Sequence, residues 1–175
     1  DTNTNSIDVL YQNKHYVQPF RNKQEIEIAE GAFKVHGITK DICKEKGLDI
    51  RDIIYLYQGL LNQSNVVVAH NFDFDRNVIV SEALNLGIDL NKPLYNRNVC
   101  TMKFSTDIVG IPSPFKTGEY KWPTLAELYK YLFNKELSDT YDAHDALEDV
   151  LATTDCVIKL YTDFDAFKNI IHGTK

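Results

Sequence analysis

The sequence predicts an α/β domain, and two observations carry that prediction. Short runs rich in β-branched residues, above all Val66-Val67-Val68-Ala69, are too brief for helices and suit buried parallel strands. Between such runs lie longer stretches with apolar residues at helical spacing, as in residues 49–61 and 145–161. Strands that alternate with helices define the α/β class. With 43% hydrophobic residues among 175, the chain can fill the core of one domain.

Taken in order, Asp1 to Ser6 is a polar run with turn chemistry. Residues 7–11 and 15–17 read as one interrupted strand that ends at Pro19. Residues 24–34 and 40–46 read as short helices. In residues 49–61, Ile50, Ile53, Ile54, Leu56, Leu60 and Leu61 recur at helical intervals. Residues 66–69 form the short strand. Residues 73–86 are helical and apolar nearly all round, which predicts a largely buried helix with Gly87 as its stop. Residues 98–102 offer a second short strand. A loop carrying Gly110, Pro112, Pro114 and Gly118 leads to a helix over residues 123–133, with Pro123 in its first turn. The last helix covers residues 145–161 and opens with a D-x-x-E capping box, Asp145 and Glu148. Its stripe of Leu147, Val150, Leu151, Val157, Ile158 and Tyr161 places Asp149 on the opposite, outward side at ~100° per residue.

Charge and cysteines narrow the function classes. Nineteen basic residues against 25 acidic ones give a net charge of −6, which argues against a broad basic face that coats duplex nucleic acid. A nuclease remains open, because a metal-dependent site itself needs carboxylates. Cys43, Cys100 and Cys156 are scattered, so a disulfide scaffold is not expected and an intracellular, reducing setting (cytoplasm, nucleoid or nucleus) is. No apolar run approaches the ~20 residues of a membrane span, so no membrane partner is expected.

Two segments put histidine beside carboxylates at element boundaries. The first is His70-Asn71-Phe72-Asp73-Phe74-Asp75, beyond a strand end and at the entry to a helix, where sites form in open α/β sheets. The second is residues 141–149, with His144 on a loop and Asp149 in the first turns of the last helix. Each has a plain structural reading: Asp73 and Asp75 as helix N-terminal acids, His70 as a hydrogen-bonded ring, Asp149 as a solvated acid, His144 as an exposed loop residue.

Together, however, the segments resemble the DEDDh group of ribonuclease-H-like 3′–5′ exonucleases, whose best-known branch is the proofreading epsilon subunit of DNA polymerase III. His70-Asn71 followed by Phe74-Asp75 is similar to the family's H-N-x-x-F-D motif. His144 followed by Asp149 is similar to its H-x-x-x-x-D motif. Val35-His36-Gly37-Ile38-Thr39 resembles its V-H-G-I-T segment, and residues 121–128 resemble the connector of epsilon-like members. The resemblance covers nearly the whole chain. It implies a mixed sheet flanked by helices and release of nucleotides from the 3′ end of single-stranded DNA or RNA. It further implies two divalent ions, Mg²⁺ or Mn²⁺, with Asp75 and Asp149 as ligands and His144 as general base. His36 would line the pocket for the terminal nucleotide. A polymerase or a helicase is the partner expected of an attached exonuclease; the residues leave attachment open. The chemistry agrees, since hydrolysing a phosphodiester needs an activated water and positive charge at the phosphoryl oxygens.

The family also has a first strand ending in D-x-E. Asp1-Thr2-Asn3 imitates it but is not equated with it here. Only one credible strand separates Asp1 from Val35, where the resemblance places two after the D-x-E strand begins. The expectation is a single exonuclease domain over residues 1–175 whose first strand lies upstream, with Asp1 at a turn remote from Asp75 and Asp149. The alternative is a catalytically incomplete nucleic-acid-binding or polymerase-associated module of the same fold.

Overall fold

The structure, a computed structural model, describes residues 8–21, 24–90, 98–142 and 144–173; Asp1 and Asn3 lie outside the described residues. The first part comprises β1 (Tyr16–Val17), β2 (Phe20–Arg21), β3 (Gln24–Glu25), α1 (Glu30–His36), α2 (Lys40–Lys46) and β4 (Gly47–Leu48). The centre holds α3 (Ile50–Gln63), β5 (Val67–Ala69), α4 (Phe72–Asn85), β6 (Asn98–Cys100), α5 (Thr101–Phe104) and α6 (Thr106–Val109). The C-terminal part is α7 (Leu125–Phe133), α8 (Ala146–Asp163) and α9 (Asp165–His172). Among the described residues the strands pair two by two: β1 with β4 and β5 with β6 in parallel, β2 with β3 antiparallel.

The main core lies where α7, α8 and α9 pack beside β6. Leu128, Ala152, Cys156, Leu160 and Phe167 are wholly buried there. Phe104 closes it from α5, its ring edge-on to Phe167 at 4.8 Å between centroids. Burial pushes the Cys156 thiol up to about 12. All three cysteines are unpaired. A smaller core of Ile54, Ala83 and Leu90 joins α3 to α4.

The α/β class and the long helices agree with the sequence reading; several details do not. Residues 24–34 divide into β3 and α1, and the interrupted strand shrinks to β1. Pro123 precedes α7 rather than occupying its first turn, because Thr124 takes the cap and forms a full capping box with Glu127. At α8, Asp145 caps through the N–H groups of Leu147 and Glu148. The helix α4 is not largely buried: Phe72 and Ala83 are, but Phe74, Val78 and Leu84 are 64%, 47% and 70% exposed. It packs against α3, β5 and β6, neighbours that cover part of its circumference. Helix α9 was not foreseen, since its eight residues follow α8 after Phe164 without a glycine or proline to mark the break.

Phe167 should therefore anchor α9. Phe167→Ala is expected to cost about 3–5 kcal/mol in a chemical denaturation experiment, whereas Leu84→Ala should change stability by no more than about 0.5 kcal/mol.

Candidate active site

Parallel pairing of β5 and β6 sets Ala69 opposite Cys100. The next residue on each strand, His70 and Thr101, therefore meet at the carboxyl ends of the pair. The His70 ring bonds on both sides, Nδ1 to the Thr101 hydroxyl at 3.0 Å and Nε2 to the Pro123 carbonyl at 3.0 Å. A carbonyl only accepts, so Nε2 carries the proton and Nδ1 of the neutral ring accepts from Thr101. Burial holds the imidazole pKa below its ordinary value, with the Pro123 carbonyl pulling partly the other way. One ring thus ties β5, the start of α5 and the entry to α7 together.

After His70 the chain turns through Asn71, whose left-handed backbone (φ 67°, ψ 47°) opens α4. Asparagine tolerates that conformation better than most residues. The turn buries Phe72 and leaves two acids in the first turn of α4 with different fates. Asp73 pairs with Lys103, which holds its carboxyl below the usual range, and with Arg76. Asp75 has no ion pair among the described residues, and crowding by protein raises its carboxyl while its own backbone N–H partly opposes the rise. Asp75 is nonetheless open to water by surface area; it stands on a cavity wall, enclosed behind and free in front.

A second pair of acids repeats the division at α8. Asp145 is consumed by the cap and by an ion pair with Lys14, which lowers its carboxyl. Asp149 has no ion pair among the described residues and faces the same cavity as Asp75. Its placement differs from the sequence reading. Seven residues, two turns, separate Asp149 from buried Cys156, so Asp149 continues the buried line toward the helix start rather than opposing it. The stripe read from the large apolar residues missed that line because small Ala152 and Cys156 form much of it. His144, just before the cap, has φ 74° and lines the cavity too.

Asp75, His144, Asp149 and His70 thus border one cavity of about 850 Å³, with Thr124 to Ala126 forming part of the wall. His36 is not among its lining residues; it ends α1, where its Nδ1 accepts from the Ile38 N–H at 2.9 Å. That Thr101 and Pro123 are the partners of His70 was not read from the sequence; parallel register between β5 and β6 was the signal that could have found Thr101. Two carboxylates that line one cavity without cation partners among the described residues are hard oxygen donors of the kind that suits Mg²⁺ or Mn²⁺. No group of three or more His, Cys, Asp or Glu side chains gathers to hold a metal among the described residues. The carboxylate pair fits part of a metal site.

The family model described as Exonuclease (RNase_T) matches residues 2–157, and the chain belongs to that family. The small sheets flanked by helices are consistent with the ribonuclease-H-like fold. Membership makes the protein a nuclease, a hydrolase acting on nucleic acid, in a family that generally uses divalent metals. No curated protein matches the chain at a significant level. Among the described residues, no helix is long and apolar enough to cross a membrane.

The buried ring of His70 makes stability depend on pH. Unfolded histidine takes up a proton near pH ~6.5, while folded His70 resists it. Its contribution is complete above that value and declines as pH falls toward the lowered folded pKa. The raised carboxyl of Asp75 acts with the opposite sign, as its protonation in the folded state stabilises at lower pH. Denaturation of the parent and of His70→Asn between pH 8 and 5 should separate them: the variant loses the decline below ~6.5.

Proposed function

We propose that this exonuclease-family member is a metal-dependent 3′–5′ exonuclease that releases nucleotides one at a time from the 3′ end of single-stranded DNA or RNA. The observation that carries the reading is the convergence of Asp75, His144 and Asp149 on one cavity from two distant helix starts. In this reading Asp75 and Asp149 hold the cations, and their lack of ion pairs among the described residues leaves them free to do so. Two divalent cations, when bound, supply positive charge to the phosphoryl and leaving oxygens. His144 removes a proton from the attacking water. The water oxygen bonds to phosphorus, the bond to the 3′ oxygen of the preceding nucleotide breaks, and that oxygen takes up a proton. His70, held at both nitrogens, positions the wall and does not titrate in the reaction.

The second reading, a module of the same fold that binds nucleic acid or a polymerase without cutting, has one observation in its favour. No cluster of three or more potential ligands forms among the described residues.

A 5′-labelled oligonucleotide separates the two. With Mg²⁺ or Mn²⁺ the parent protein should yield a ladder shortened from the 3′ end. Asp149→Asn should abolish it at unchanged melting temperature, and His144→Ala should slow it by ~10²–10⁴-fold. No trimming by the parent under any divalent metal favours the non-cutting module, and full activity of either variant removes the assigned role.

A further inference from the structure

The segment leading into the cavity wall carries a second feature. Residues 111–121 form a hairpin closed by a bridge between Pro112 and Tyr120. The Ser113 N–H donates to the Glu119 carbonyl at 2.8 Å, and the Lys121 N–H donates to Ile111 at 2.9 Å. Gly118 turns the tip at φ 83°. This ordered element holds its large rings outward: Phe115 is 92% exposed, Trp122 60% and Tyr120 49%. Three exposed rings within eight residues contrast with the buried aromatics of the α7–α9 core. Tyr120 leans over Gly110, about 3.9 Å from where a side chain there would begin. Trp122 adjoins buried Pro123, whose carbonyl binds His70. Only one residue, Pro123, and at most ~7 Å of chain separate Trp122 from Thr124 on the cavity wall.

We propose that this hairpin is a stacking platform for the single strand just 5′ of the nucleotide in the cavity, with Trp122 taking the nearest base and Phe115 one farther out. The proposal rests on the exonuclease reading and adds the path of the substrate. Exposed rings on an ordered backbone offer flat apolar faces at little entropic cost, and every base has a face to match them, so the platform tolerates any sequence. Charge supports stacking as the main attraction. With a net charge of −6 the chain cannot draw a polyanion by its overall field. The hairpin itself contributes two cations, Lys116 and Lys121, paired with Glu119 and Glu127. Such ion pairs open readily to a phosphate. Binding should therefore depend weakly on salt, with a log–log slope no steeper than about −1.4, two phosphates at ~0.7 each.

Trp122 is the only tryptophan in the sequence and reports its own contact. The parent chain is titrated in EDTA with an oligothymidylate octamer and, separately, with thymidine 5′-monophosphate, following tryptophan emission. The octamer should quench emission and the mononucleotide should not. Trp122→Ala and Phe115→Ala should each weaken octamer binding by roughly 5- to 150-fold, with Trp122→Phe restoring most of the loss and all three melting like the parent. Absence of quenching, octamer affinity within twofold of the parent in both alanine variants, or a slope far steeper than −1.4 overturns the proposal. Loss of a protein partner with octamer affinity intact also overturns it, assigning the rings to protein docking. Hydrolysis of a chromogenic thymidine monophosphate ester by the parent tests the exonuclease reading separately. Quenching by the octamer without any hydrolysis would leave the platform standing and remove that reading.

Discussion

The cavity depends on one imidazole ring. His70 stands at the end of β5, and its two nitrogens engage Thr101 beyond β6 and the Pro123 carbonyl before α7. Those partners are 31 and 53 residues away in the chain. Thr101 is wholly buried, so its hydroxyl would be costly to leave without a partner. The same ring also ties the end of β5 to the residue before the Thr124 cap of α7, and the first turns of α4 and α7 line the cavity. A neutral ring serves this purpose best, and burial keeps it neutral.

With the walls fixed, the acids divide labour. At the start of α4, Asp73 is neutralised by Lys103, and Asp75 has no cation partner among the described residues. At the start of α8, Asp145 caps the helix and binds Lys14 while Asp149 likewise has none among them. One acid of each pair holds the element in place, which frees the other from structural duty. Two carboxylates that face one space with no cation partner among the described residues repel each other, and a bound cation relieves that repulsion. The family's general use of divalent metals accords with this electrostatic demand.

The sequence displayed the residues that line the cavity more clearly than the packing around them. Asp75, His144 and Asp149 were legible because each follows a recognisable boundary, and boundary chemistry is local. The path of α4 was not, because apolar residues on every side say nothing of how many neighbours a helix has; the described fold gives Phe74, Val78 and Leu84 open positions. The buried line of α8 was misjudged for a related reason, as Ala152 and Cys156 weigh little in a stripe read from large side chains yet let α7 and α9 approach closely. His36, read from a motif, lies in a local turn with Ile38 and not on the cavity wall. The expectation for Asp1 falls outside the described residues. Conversely, Phe115 and Tyr120 fall in no motif and Trp122 only in the connector-like segment 121–128, which says nothing of exposure; the proposal for these rings came from their exposure and their nearness to the wall.

The most direct measurement is a crystal structure of the protein with Mn²⁺ and a nucleoside 5′-monophosphate. Anomalous density for manganese is expected between the carboxylates of Asp75 and Asp149, with the nucleotide phosphate against it and His144 at the edge of the same cavity. Manganese and nucleotide bound elsewhere, with both carboxylates left without a ligand, would contradict that expectation.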